Sequence, residues 1–131
     1  PDGRPVQLVA VSKGHPAASV REAYEAGQRV FGESYAQEFA LKAEALADLA
    51  DVQWRFIGHL QRNKTKLVLP HAHAIDSVDS VRLAERIATT TERPVDICLQ
   101  VNVADEPQKS GVAVSELEAL VAVARGLDGL R

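Results

Sequence analysis

Apolar and polar positions along the chain recur with two alternating periods. Val6 to Val11 is a short run rich in valine, the pattern of a strand covered on both faces. Lys13 lies just past its end. Pro16 suits a first helical turn, and Val20, Ala23, Tyr24 and Gly27 then recur at helical spacing, with Gly27 placed to end the helix. The same strand, loop and helix return. Arg29 to Gly32 reads as a brief strand, and Glu33 to about Leu49 as an alanine-rich helix carrying Tyr35, Phe39, Ala43 and Leu46. Val52 to Gly58 gives a third strand, followed by a basic helix from Gln61 to Leu69 that Pro70 stops. Ala74 to Val78 is a fourth strand, and Asp79 or Ser80 can cap the helix carrying Leu83, Ala84, Ile87 and Ala88. Val95 to Asn102 is a fifth strand, and Ser115 and Glu118 have capping-box spacing ahead of Leu117, Leu120, Val121 and Ala124.

Alternation of this kind predicts a parallel sheet with covering helices, either an open doubly wound sheet or part of a closed barrel. Two features favour the barrel. No Gly-x-Gly-x-x-Gly follows the first strand, which weakens a dinucleotide-binding sheet. In the fifth strand Asp96, Cys98, Gln100 and Asn102 alternate with Val95, Ile97, Leu99 and Val101, so one face is polar toward its carboxyl end, as at a barrel mouth lined with functional groups. The expected fold class is therefore α/β, a TIM-type (β/α) barrel.

Composition narrows the function classes. With 131 residues, 46% hydrophobic and 25% charged, the chain reads as one ordinary globular domain. A net charge of -3 gives no general attraction to nucleic acid or to anionic membranes, and neither is expected as a partner. Cys98 is the single cysteine, so no internal disulfide can form and the cytoplasm is the expected compartment. Pro1, Asp2, Gly3 and Arg4 make a polar start, and no apolar run approaches ~18 residues, so neither a signal peptide nor a membrane span is expected.

Taken one at a time, the candidate functional residues are ambiguous. Lys13 has the parity of Val9 and Val11 and can project from their face, though a lysine there can simply mark where a strand meets solvent. Gln53, Arg55, Ile57 and His59 share a face by the same period, with His59 at the mouth. His71 and His73 share a direction if extended, but no third ligand completes a site and no metal is expected. Cys98 reads as a small buried packing residue, and Arg62, Lys64 and Lys66 as one solvated helix face.

Four segments, in order, change that picture. Leu8 to Lys13, Phe31 to Glu38 (Phe-Gly-Glu-Ser-Tyr-Ala-Gln-Glu), Trp54 to Lys64, and Gln100 to Asn102 followed by Glu106, Lys109, Ser110 and Gly111 resemble the motifs of the pyridoxal phosphate homeostasis proteins. The barrel of that family is similar to the N-terminal domain of alanine racemase. The resemblance implies pyridoxal 5'-phosphate held as a Schiff base on Lys13, with Ser34, His59 and Asn102 as further cofactor-binding candidates. Such a bond needs a neutral amine, whereas an ordinary lysine with pKa ~10.4 is almost wholly protonated at neutral pH. Two positions depart from the family: Ser34 stands where asparagine is usual, with a shorter reach, and Arg55 where histidine is common.

The implied role is intracellular binding and delivery of the cofactor in vitamin B6 and amino-acid homeostasis, without catalysis, with cofactor-dependent apoenzymes as recipients. Rival readings are a racemase that uses the cofactor as electron sink, a Schiff-base lyase without cofactor, and a cofactor-free interaction fragment. Residues 1–131 are expected to supply only the first five β/α units, without strands six to eight or the serine- and glycine-rich segments that hold the cofactor phosphate in relatives. Such a piece should leave its first and fifth strands as open edges and should not form a stable monomer.

Overall fold

The computed structural model describes Gly3 and residues 5–131; Pro1, Asp2 and Arg4 of the polar start lie outside the described residues. Five parallel strands lie side by side in chain order: β1 (Ala10–Val11), β2 (Val30–Glu33), β3 (Gln53–Phe56), β4 (Ala74–Val78) and β5 (Asp96–Leu99). This order decides between the two architectures. A doubly wound sheet reverses direction at a switch point, whereas strictly sequential neighbours joined by right-handed crossovers keep every helix on one face, as in a barrel wall.

The helices are α1 (Ala17–Glu25), α2 (Ala36–Ala45), α3 (Thr65–Val68), α4 (Val81–Thr90) and α5 (Leu117–Arg125). The core lies between them and the sheet. Phe31, Trp54, Phe56, Ile75 and Val78 of the strands are buried with Phe39 of α2 and Leu83 and Ile87 of α4. Phe39 is the centre of an aromatic cluster, 5.6 Å from Trp54 and 6.0 Å from Phe56 between ring centroids. The opposite face of the sheet carries Val9, Gly32 and Ile57: a Cβ built on Gly32 would stand 3.1 Å from side-chain atoms of both neighbours.

Several elements differ from expectation for identifiable reasons. β1 holds only two residues and pairs with β2 alone among the described residues, and Val6 and Leu8 ahead of it are 98% and 72% exposed. Glu33 belongs to β2 and not to the following helix, which starts at Ala36. The basic segment opens with a 3-10 turn over Arg62–Lys64 before a single α turn. Ser80, not Asp79, caps α4 by accepting from the Leu83 N–H. Ser115 caps nothing; it sits inside a 3-10 turn, Val114–Glu116, and α5 starts without a side-chain cap.

The fifth strand breaks at Gln100, whose N–H donates to the Val78 carbonyl at 2.8 Å. Past the break β6 (Val101–Asn102) pairs in parallel with β7 (Val112–Ala113). The outer edge of β5 is not open. Leu130 bridges Val95 in parallel, with Ile97 N–H donating to the Arg131 carbonyl at 2.8 Å.

His71 and His73 have different partners. His71 meets the Phe39 ring edge-on, whereas His73 Nδ1 accepts the Trp54 N–H at 3.1 Å and locks the start of β3. Burial, followed by the nearby Arg93 cation, holds the His73 pKa below its ordinary value; Asp96 opposes them. The neutral ring is therefore favoured by folding, and its contribution is complete above the unfolded pKa of ~6.5 and lost as pH falls through the lower folded value. Chemical denaturation across pH 7.5 to 5 should show stability declining with acid. His73→Asn, which keeps an acceptor but does not titrate, should decline less; equal slopes for the two proteins would remove the assignment.

Candidate functional site

Because the strands are parallel, their carboxyl ends form one edge, and every segment matched by a sequence motif reaches it there. Lys13 occupies the turn just past β1, Ser34 follows β2, Gly58 and His59 follow β3, and Asn102 lies in β6 beyond β5.

The Lys13 turn is held from several directions. Ser12 N–H donates to the Gly32 carbonyl and His15 N–H to the Ser12 carbonyl, each at 3.0 Å, while Gly14 takes φ of 74°, a conformation that favours glycine. Beneath it lies a buried ionic network. The Lys42 ammonium of α2, 5% exposed, donates to Glu33 Oε1 at 2.5 Å, to the Ser12 carbonyl at 2.8 Å and to Glu38 Oε1 at 3.0 Å. Ser12 Oγ donates to the same Glu33 oxygen at 2.5 Å, and Gly14 N–H donates to Glu38 Oε1 at 2.7 Å. Glu33 is fully buried, with Oε2 lacking a hydrogen-bond partner among the described residues. The Lys42 ammonium, then the Gly14 N–H, hold the Glu38 carboxyl below its usual range. Lys13 itself is exposed, and none of the described side chains lies within ion-pairing distance of it.

Next along the same rim, the β2 and β3 ends approach so closely that a Cβ on Gly58 would stand 2.1 Å from the Ser34 carbonyl oxygen. Ser77 Oγ secures this point from β4 by donating to the Gly58 carbonyl at 2.5 Å. Ser34 and His59 share a recess of about 250 Å³ with Gln61 and Lys64. His59 also borders a second recess of about 370 Å³ with Asn102, Lys109 and Ser110. His59 Nδ1 is 3.2 Å from Ser110 Oγ and 3.4 Å from Asp79 Oδ2. The structure thus brings Ser34, His59 and Asn102 around two adjoining recesses, with Lys13 on the same edge but in neither lining.

Asn102 is committed within its own loop: its Oδ1 accepts the Glu106 N–H at 3.2 Å and its Nδ2 donates to the Glu106 carbonyl at 2.9 Å. The loop so closed presents Lys109, paired with Glu106 at 2.6 Å. Below the mouth, Arg55 makes a two-point contact with Asp76 at 2.8 and 2.5 Å, and its Nη2 lies 4.0 Å from Cys98 Sγ. Cys98 is therefore not the buried packing residue expected; it is exposed on this polar inner rung, and desolvation followed by the Asp76 charge pushes its thiol pKa up. The basic cluster also separates: Arg62 lines an outer cleft with Arg82 and Arg86, Lys64 lines the mouth, and Lys66 lies beside Pro70.

Sequence reasoning missed Glu33, Glu38, Lys42, Asp76 and Asp79. Glu38 and Lys42 carried a signal, the helical i,i+4 spacing of opposite charges. Glu33 was hidden by its assignment to a helix, and the acidic partners of Arg55 and His59 lie in β4 and just past it, distant in sequence.

Residues 3–131 match the family described as "Alanine racemase, N-terminal domain". The chain is 45% identical over 133 aligned residues to the pyridoxal phosphate homeostasis protein of Pseudomonas aeruginosa, covering 99% of this chain and 57% of that protein. PipY of Synechococcus elongatus PCC7942, solved without PLP, superposes with a TM-score of 0.91 at 43% identity, covering 96% of this chain and 60% of PipY. The same protein solved with PLP bound gives 0.87 at 42% identity, covering 98% and 62%. Among the described residues no helix is long and apolar enough to cross a membrane.

Two substitutions test this geometry. Lys42→Met strands the Glu33 carboxylate in the interior and should cost on the order of 3–5 kcal/mol in a urea titration. Gly58→Ala drives a methyl group into the Ser34 backbone and should cost about 1–3 kcal/mol while displacing the amide resonances of residues 33–35. Wild-type stability in either variant would contradict the packing described.

Proposed function

This chain belongs to the alanine racemase N-terminal domain family, and from that premise we propose that residues 1–131 form the lysine-bearing part of a pyridoxal 5'-phosphate site, with the cofactor attached as a Schiff base at Lys13. The observation that supports this most is the contrast at Lys13: the peptide groups on both sides are fixed, while the side chain projects from the mouth free of carboxylates among the described residues. The bound cofactor of PipY, 42% identical, supports the same reading.

The residues present fit the lysine side of such a group. Attachment forms a bond between Lys13 Nζ and the aldehyde carbon, and the carbonyl oxygen departs as water; hydrolysis reverses it. The cofactor, when bound, supplies a carbonyl masked as an imine and an electron-withdrawing ring. His59, oriented by Ser110 and Asp79, and Ser34, held against Gly58, line the recesses next along the same rim. Asn102 acts by closing the loop that presents Lys109 and Ser110. Phosphate sites of barrels generally follow strands seven and eight, beyond the five-stranded wall described.

The chain spans 57% of the length of the Pseudomonas relative, so the role of the whole protein is part of this proposal. We read it as a cytoplasmic, non-catalytic carrier or regulator of the cofactor, serving vitamin B6 and amino-acid homeostasis by delivery to dependent apoenzymes. The name of the curated relatives supports the carrier over a racemase or a cofactor-free lyase.

Incubation with pyridoxal 5'-phosphate, borohydride reduction and peptide mapping tests the assignment. The expected result is one reduced adduct on the Lys13 peptide and none in Lys13→Ala. An adduct elsewhere, or only with a simple aldehyde or ketone, would sink it.

A further inference from the structure

We propose that Glu38 and Lys42, one turn apart on α2, form a clamp that sets the direction in which Lys13 presents its amine. This rests on the reading of Lys13 as the attachment residue and adds to it two positioning residues.

The direction of the Lys13 side chain is fixed by the two peptide planes that meet at its Cα. The Ser12 carbonyl belongs to the plane before it and the Gly14 N–H to the plane after it. Lys42 Nζ donates to the first at 2.8 Å, and Glu38 Oε1 accepts from the second at 2.7 Å. The two side chains are joined to each other at 3.0 Å. A single helical turn thus grips both planes, and with them the torsions that aim the Cα–Cβ bond.

Local bonds already close this turn without the clamp. His15 N–H reaches the Ser12 carbonyl at 3.0 Å, and Gly14 takes its left-handed conformation with no Cβ penalty. What they leave free is the plane between Lys13 and Gly14, because glycine permits many orientations of it. Glu38 removes that freedom. The inner arm is anchored deeper still, since Glu33 Oε1 holds both Lys42 Nζ and Ser12 Oγ at 2.5 Å. Lys42 is itself excluded as an attachment site: it is 5% exposed, and three acceptors surround its ammonium. The clamp therefore separates the two amines by task, one buried and holding, the other exposed and reacting.

Reaction at a bulky, phosphate-bearing aldehyde requires a set approach, and a misplacement of about 1 Å can cost ~100-fold. A small aldehyde imposes no such demand. The test uses Glu38→Ala in the whole chain, because Glu38 is partly exposed and its loss leaves the Lys42–Glu33 pair in place, with Glu38→Gln as the variant that keeps an acceptor for Gly14. Expected for Glu38→Ala are a melting temperature within a few degrees of the parent and about 10-fold faster hydrogen exchange at the Gly14 amide. The visible dichroic band of the bound cofactor should change, and pyridoxal 5'-phosphate should be held about 10-fold more weakly. Reductive methylation of Lys13 by formaldehyde should be unchanged, and Glu38→Gln should recover part of each effect. A variant with the parent's dichroism and affinity overturns the proposal, as does one whose losses merely follow its melting temperature. If the parent chain yields no Lys13 adduct, the functional reading fails; Gly14 exchange then decides the clamp alone, and exchange unaltered in Glu38→Ala refutes it.

Discussion

The buried contact between Lys42 and Glu33 is the interaction on which the mouth of this fold depends. Removing two charges from water costs several kcal/mol for each, and their attraction offsets that only when further hydrogen bonds satisfy them. Here those further bonds are the structural content of the site. Lys42 reaches the Ser12 carbonyl and Glu38, and Glu33 receives the Ser12 hydroxyl, so β1, β2 and α2 can be assembled in only one relative placement if the charges are to be matched. An apolar pair of the same volume would fill the space without specifying that placement. The ionic network is thus better understood as a source of precision than of stability.

The inner face of the sheet follows the same logic more loosely. Arg55, in β3, spans to Asp76 in β4 through a two-point contact, half-buried on both sides, with Cys98 of β5 beside them. The guanidinium suits this rung because its planar fork meets both carboxylate oxygens at once. An imidazole at position 55 would offer one nitrogen at that distance and leave the carboxylate half satisfied.

Much of the fold was legible because helix and strand differ in period. Ala74–Val78 was read to the residue, since Ala74, Ile75 and Val78 stand between the Pro70 stop and the Ser80 cap of the next helix. Boundaries failed where a polar side chain is buried by a partner far along the chain. Glu33 looks like the charged opening of a helix until Lys42 and Ser12 are placed beside it. Cys98 looks like core until the open inner face is seen. Val6 and Leu8 look like a two-sided strand, yet β1 has a single neighbour among the described residues. Of the candidate site, the placement of Lys13, Ser34, His59 and Asn102 at the carboxyl ends of the strands was readable from pattern and resemblance. The supports of Lys13 and the intraloop bonds of Asn102 were not, because they depend on distances across elements that no local pattern encodes.

Leu130, bridged to Val95, shows how such a wall is made. Every strand pairs with the one synthesised just before it, and residues 129–131 already align on β5 before any later segment is needed. Loop closure between neighbours spans only one β/α unit at each step, so its entropic cost stays small and nearly constant along the chain. The sheet can therefore grow in the order of translation, each edge acting as template for the next strand, with the lysine-bearing turn and its ionic support complete after the second unit has emerged.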